Sequence, residues 1–272
     1  MATSLETRGL EPVRPSPVAG LAVARRRVAH ARATLVCVHG GLDRGASFAR
    51  LARRMTHLNV VTYDRRGYQG SRSLEPLGLA HHVDDLLGVA RWAAPDGPVL
   101  VFGHSYGGVI ALGAAVADPS RFCLVDVYEA PLPWILARQG ERPPLGDDPR
   151  REAELFFRRI VSDAVWERLS EAERESRRHD GPALVDDLTA LRHGPPFAPL
   201  VDVTALRTPT HYLHGDQRLA TYYRTLGALL ERVNPVITTD ELADAGHGAH
   251  LSAPDQLARL LQRHEEMTCA SR

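Results

Sequence analysis

The segment Gly103-His104-Ser105-Tyr106-Gly107-Gly108 constrains what this chain can fold into more than any other. It follows directly on the apolar run Val99-Leu100-Val101-Phe102 and leads into Val109-Ile110-Ala111-Leu112, which continues at helical period. A G-x-S-x-G sequence carries little weight alone, but between a strand and a helix it predicts a very tight turn. The serine of such a turn adopts a strained backbone conformation, and glycines on either side remove Cβ atoms that would collide across it. The turn lifts Oγ above the sheet and aims the first N–H groups of the helix toward developing negative charge. Ser105 is therefore the candidate nucleophile. The alternative is a glycine-rich turn that binds a phosphate or merely packs.

Around that turn the chain alternates between two periodicities. Short β-branched runs ending at Gly or Asp predict strands at Thr34–Val38, Val60–Tyr63, Val99–Phe102, Leu124–Tyr128, His211–Leu213 and Val236–Thr239. Helical patterns fall between them at Ala46–Met55, Val83–Ala93, Tyr106–Ala117, Thr221–Val233 and Pro254–Glu266. This order implies βαβ units and an α/β fold with a doubly wound, mostly parallel sheet. From Pro133 to Pro199 the alternation stops, and polar helix-favouring stretches (Arg150–Leu169, Leu184–Leu191) sit between Pro- and Gly-rich joints. Residues 1–132 and 200–272 are thus expected to form the core, and 133–199 a helical lid over the carboxyl edge of the sheet, where open sheets bind ligands. A solvated helical excursion away from any ligand is the alternative. Residues 1–20 are expected to be flexible.

Composition excludes several function classes. With 33 arginines, no lysine and 33 acidic residues, the formal net charge is zero, and the positives are interspersed with acids. No basic stripe points to nucleic acid. Cys37, Cys123 and Cys269 are odd in number and irregularly spaced, so no disulfide framework is expected. Residues 1–17 have no apolar segment of signal-peptide type, and no run is long enough to span a bilayer, so a cytoplasmic protein without a membrane partner is expected. No metal-ligand spacing or dinucleotide fingerprint occurs, and neither cofactor nor metal is expected. The sequence leaves the oligomeric state open.

The strand Leu35-Val36-Cys37-Val38 runs into His39-Gly40-Gly41-Leu42. Such a strand end can offer a backbone N–H to a tetrahedral oxyanion, and the residue after the nucleophile, Tyr106, offers a second. Gly41 is the first choice for the former, with Leu42 as its substitute and an ordinary glycine turn as the alternative. His39 and Trp134 are candidate substrate contacts.

His39-Gly40-Gly41, Tyr63-Asp64-Arg65-Arg66-Gly67, Gly103-His104-Ser105-Tyr106-Gly107-Gly108 and Asp244-Ala245-Gly246-His247 occur here in the order found in the α/β-hydrolase superfamily, which this chain resembles from about Thr34 to its C-terminal helix. The resemblance implies the fold and a catalytic triad but not a substrate. It implies that His247, directly after Gly246, is the base, with His250 as a packing neighbour. His57, His81, His82, His179 and His193 are expected on the surface or in turns.

The acid departs from the superfamily pattern. Most members carry it after the penultimate strand, three residues beyond a glycine; here that slot, in His214-Gly215-Asp216-Gln217-Arg218, holds Arg218. An arginine would repel an imidazolium. Glu129, at the end of the strand after the nucleophile helix and 24 residues beyond Ser105, resembles the acid of haloalkane dehalogenases in position. Glu129 and Asp216 both stay open as the acid, and a structural salt bridge from Glu129 to Arg218 is a further possibility. A serine in place of a carboxylate nucleophile argues for acyl transfer, with a carboxylic ester as the default and thioester, lactone or amide beside it. Phe156, Phe157, Trp166 and Trp134 could line an apolar pocket or form the insertion's own core. A C–C bond hydrolase or lyase on the same fold and a non-catalytic binding protein are the rival readings.

Overall fold

A computed structural model describes residues 9–137, 144–193 and 200–269. The expected flexibility of residues 1–8, and the Pro-rich joints at 138–143 and 194–199, fall outside these. Eight strands form one sheet: β1 (Glu11–Pro12), β2 (Val23–Arg26), β3 (Ala33–Val38), β4 (Leu58–Tyr63), β5 (Val99–His104), β6 (Phe122–Tyr128), β7 (Thr210–Gly215) and β8 (Ile237–Leu242). The helices are α1 (Ala49–Ala52), α2 (Gly78–Ala93), α3 (Tyr106–Ala117), α4 (Pro149–Ile160), α5 (Asp163–Arg168), α6 (Glu171–His179), α7 (Gly181–His193), α8 (Ala220–Val233), α9 (Ala249–Ser252) and α10 (Pro254–Cys269).

The strand order is β1-β2-β4-β3-β5-β6-β7-β8. β3 to β8 run parallel, while β1 and β2 are antiparallel at one edge. Both antiparallel strands escaped the sequence reading, because Val23-Ala24-Arg25-Arg26, next to the edge strand β1, is only partly buried and lacks the apolar run of a strand buried on both faces. Within the stretch expected to be flexible, Glu11 and Pro12 pair with Arg25 and Ala24.

Alternation of strand side chains divides the core into two layers. Val36, Val38, Val99, Val101, Val125 and Val127 pack on the side of α2, α3 and α8. Leu35, Cys37, Leu100, Phe102, Leu124 and Tyr128 pack on the other side, against Phe48, Leu51, Leu257 and Leu261 from around α1 and α10. The fold is thus the doubly wound α/β arrangement expected. From β3 the chain first builds outward through β4 and then returns to place β5 on β3's other side. The carboxyl ends of β3 and β5 therefore flank the point where the order reverses, the crevice in which open sheets bind ligands.

Between β6 and β7 the insertion forms α4 to α7. The predicted helix Arg150–Leu169 breaks at Val161, and Ser162 caps α5 by accepting from Val165 N–H. Ser170 and Glu173 make a reciprocal capping box that starts α6, a helix the sequence reading did not separate. Phe157, Trp166, Ala183 and Leu184 give these helices a small core of their own, which also takes in Leu42 and Tyr68. Polar ties fasten the insertion to the rest: Arg72 to Asp180 at 2.7 Å, Gln69 to Asp180, and Arg177 to the Leu42 carbonyl.

Candidate active site

β5 delivers Ser105 to the crevice. Its backbone sits at φ 53°, ψ −123°, a conformation that L-residues rarely adopt, and it is the residue directly before α3. The glycines around it are sterically required. A Cβ on Gly107 would lie 2.2 Å from the Val38 carbonyl oxygen, and one on Gly103 would lie 2.5 Å from the Gly107 oxygen. The turn is closed by Ser105 N–H donating to Tyr128 O at 2.8 Å and by Gly108 N–H donating to Ser105 O at 2.8 Å. The first bond ties the turn to the end of the neighbouring strand β6, where the next group of interest begins.

Glu129 follows β6 directly and also holds a positive φ, of 47°. Its N–H donates to Leu213 O at 2.8 Å, and its side chain is 1% exposed. Oε1 accepts from Gly215 N–H at 3.1 Å, and Oε2 lies 2.6 Å from His247 Nδ1. Arg218 does not join them; its Nη1 donates to the Arg159 carbonyl at 2.7 Å, at the end of α4. Asp216 is exposed and accepts from the N–H groups of Asp244 and Ala245, at 2.9 and 3.1 Å. Those donors hold its carboxyl below the usual carboxylate range. Of the two carboxylates, Glu129 meets the histidine, while Asp216 braces the loop that carries it.

His247 is held from several sides. Tyr128 Oη donates to Gly246 O at 2.8 Å, and His104 Nε2 lies 2.7 Å from the His247 carbonyl oxygen. Burial, with His250 and His247 beside it, holds His104 well below the usual histidine range. A neutral His104 donating from Nε2 leaves Nδ1 as an acceptor, and that atom is buried without a hydrogen-bond partner. The Tyr223 ring lies nearly parallel to His247, with centroids 6.2 Å apart. His250 is the packing neighbour expected: it is 2% exposed, pairs with Asp43 at 3.1 Å and sits 4.4 Å from the His104 ring.

The loop after β3 covers the other side of the nucleophile. A Cβ on Gly40 would lie 3.0 Å from Ser105 Cβ. One on Gly41 would meet Leu184 Cδ1 at 3.1 Å and Phe156 Cζ at 3.7 Å, so α4 and α7 of the insertion lie directly over this loop. Leu42, the substitute donor, adopts a φ of 51°.

Two expected substrate contacts are placed differently. His39 is fully buried, with both nitrogens committed: Nδ1 to Gly40 O at 2.8 Å, and Nε2 accepting from Arg65 N–H at 2.9 Å. Burial and the nearby Arg65 push it down to about 3, so the ring is neutral scaffolding with no free atom for a substrate. Trp134 is half-buried against the apolar layer that contains α2, α3 and α8, with its Nε1 buried and unpartnered. Phe157 and Trp166 belong to the insertion's own core; Phe156, at its margin, faces Gly41. His82, expected on the surface, is 1% exposed and faces Asp187 at 3.5 Å. Its partner lies 105 residues away, too far for any local pattern to reveal it.

Three clusters among the described residues bring His and carboxylate atoms within 4.8 Å of one another: Asp43/His104/His250, Asp126/His211/His264 and His82/Asp186/Asp187. Each contains a close histidine–carboxylate contact: His250–Asp43 at 3.1 Å, His264–Asp126 at 2.6 Å and His82–Asp187 at 3.5 Å. In the second, the two imidazoles stack 3.6 Å apart at 8°, so their in-plane lone pairs run parallel rather than converging on one ion.

Residues 35–260 match the alpha/beta hydrolase family. The chain belongs to that family. One stretch of 89 residues is 30% identical to the lipase LipV of Mycobacterium tuberculosis, covering 33% of this chain and 34% of LipV. The chain thus spans about a third of the length of that curated relative. In structure, the chain is similar to Lip1, a candidate lipase of Acinetobacter baumannii (TM-score 0.72, 18% identity, 97% of this chain and 94% of that one). It is likewise similar to an epoxide hydrolase of Solanum tuberosum (TM-score 0.71, 16% identity, 95% and 99%). At such identities the structural likeness establishes the fold alone. No helix among the described residues is long and apolar enough to cross a membrane.

Proposed function

We propose that this hydrolase acts by acyl transfer through Ser105, His247 and Glu129, on a carboxylic ester of a small apolar substrate. The observation that carries this reading is the 2.6 Å contact between His247 Nδ1 and the buried Glu129 carboxylate, which starts beside the strained serine turn. A carboxylate on Nδ1 fixes the tautomer in which Nε2 has a lone pair, and it stabilises the imidazolium once that lone pair takes a proton.

In this mechanism Ser105 Oγ attacks the ester carbonyl as His247 takes its proton. The oxyanion is met by the N–H of Tyr106, at the start of α3, and by that of Gly41 (or Leu42). Loss of one such donor typically raises the barrier by about 3–4 kcal/mol. His247 then gives its proton to the departing alcohol, and water activated by the same imidazole releases the acyl group from Ser105. The apolar preference is supported by Phe156 and Leu184, which lie over Gly41 on the loop beside the nucleophile. A thioester or lactone would react by the same steps.

The test is hydrolysis of p-nitrophenyl esters from acetate to long-chain acids. Turnover with a chain-length optimum, abolished in Ser105→Ala, is expected. Absence of turnover on every ester would overturn the assignment.

A further inference from the structure

Arg65 is among the largest fully buried side chains of the molecule, and the reaction above gives it no part. Removing a guanidinium from water costs several kcal/mol, and an ion pair only offsets that cost. Its partner comes from the insertion. Asp187 on α7, 2% exposed, accepts from Nη1 at 3.0 Å and from Nη2 at 2.6 Å, a two-pronged pairing that fixes the guanidinium plane. Tyr68 Oη also donates to Asp187, at 2.6 Å.

A pair serving only to glue α7 to the core could be replaced by apolar side chains at little or no loss of stability. Here, however, Nη2 has a second acceptor: the Gly40 carbonyl oxygen, at 3.2 Å. The same oxygen receives His39 Nδ1–H, whose tautomer is set by Arg65's own N–H donating to His39 Nε2. Arg65 therefore acts on the Gly40 carbonyl twice, directly through its side chain and indirectly through His39. In a planar trans peptide the carbonyl and the following N–H point in opposite directions. Holding Gly40 C=O toward the guanidinium thus holds the Gly41 N–H away from it, on a loop whose Gly40 approaches Ser105 closely.

We propose that Arg65, clamped by Asp187, is a positioning residue that sets the orientation of the Gly40–Gly41 peptide and hence of an oxyanion donor. The inference rests on the acyl-transfer reading for its kinetic consequence but not for its structural one. It makes the insertion a working part of the site: α7 cannot lift from the core without releasing Arg65, and the peptide then loses its charged donor. The device differs from a passive lid, which would govern entry of substrate and leave the donor untouched.

The test uses the full chain carrying Arg65→Met together with Asp187→Leu, which replaces the ion pair by apolar groups of similar size and keeps α7 packed. The expected result is a protein that still folds, its melting temperature lowered by the Tyr68 hydroxyl and the His82 ring left without Asp187, with kcat lower by about 10- to 100-fold and KM within about threefold, since removal of a whole donor costs about 10²–10³. Affinity for a trifluoromethyl ketone, which forms an oxyanion on the serine, should fall in parallel with kcat/KM. Arg65→Lys, which retains a cationic donor, should recover part of the loss. A folded double variant with wild-type kcat and ketone affinity overturns the proposal. The crystal structure of the double variant reads the peptide directly: a turned Gly40–Gly41 peptide supports the inference, and an unchanged one overturns it. Should wild type hydrolyse no ester, the acyl-transfer reading fails, and this crystallographic result still decides the positioning role.

Discussion

Glu129 Oε2 lies 2.6 Å from His247 Nδ1 although 118 residues separate the two, and Asp216, much nearer to His247 in the chain, instead accepts from the N–H groups of Asp244 and Ala245. The two carboxylates thus have different work. One meets the imidazole, and the other shapes the loop that presents it. Glu129→Gln keeps the size of the side chain but can present a donor to Nδ1 and so favour the wrong tautomer. Its kcat should fall by a factor on the order of 10³–10⁴ with little loss of stability. Asp216→Asn should keep kcat within about tenfold and lower the melting temperature, because it weakens charge-assisted bonds to two backbone N–H groups. Steady-state kinetics on one ester with both variants decides between them, and the opposite pattern would transfer the role to Asp216.

The serine turn makes a prediction about folding. A Cβ on Gly107 would lie 2.2 Å from the Val38 oxygen, and that atom belongs to the central strand β3 rather than to a flexible side chain. Nothing can yield cheaply, so Gly107→Ala should destabilise by more than about 4 kcal/mol, in the range reserved for core disruption. Gly97→Ala, where a Cβ meets nothing within 4 Å, is the control and should unfold within a few tenths of a kcal/mol of wild type in urea.

The parts of this site that could be read from the sequence are those written by local pattern. Ser105 is flanked by a strand and a helix that are contiguous with it, and Glu129 and His247 each follow directly on recognisable features of their own. The strained turn that the glycines around Ser105 predict is present, with φ at 53°. What stayed hidden depends on distant partners. Arg65 enters the sequence analysis only as part of Tyr63-Asp64-Arg65-Arg66-Gly67, because its partner Asp187 lies 122 residues away on α7. The expected substrate contact of His39 gives way to its commitment to Arg65 and Gly40, which is a tertiary fact. Strands β1 and β2 were missed because an antiparallel edge, wet along one side, needs no continuous apolar run.

Away from the site, a buried histidine predicts how stability varies with pH. His264 on α10 lies 2.6 Å from Asp126 on β6 and 3.3 Å from Asp240 on β8, with His211 stacked on its ring. Burial alone would lower its pKa, but the two carboxylates outweigh that and push it up to about 9. A group whose pKa is raised by folding stabilises fully below its unfolded value, about 6.5, and loses that contribution as pH rises through the folded value. The melting-temperature advantage of wild type over His264→Gln should therefore be greatest below about pH 6.5 and shrink steadily through pH 9. A difference that does not vary across this window would refute the charged assignment.

Everything proposed about the reaction depends on Ser105 forming a covalent bond, and that can be measured without knowing the substrate. Incubation with a fluorophosphonate followed by peptide mass spectrometry should place the adduct on Ser105, with no adduct in Ser105→Ala and much slower labelling in His247→Ala. An unmodified Ser105 in folded wild-type protein, or equal labelling of Ser105→Ala, would contradict the account.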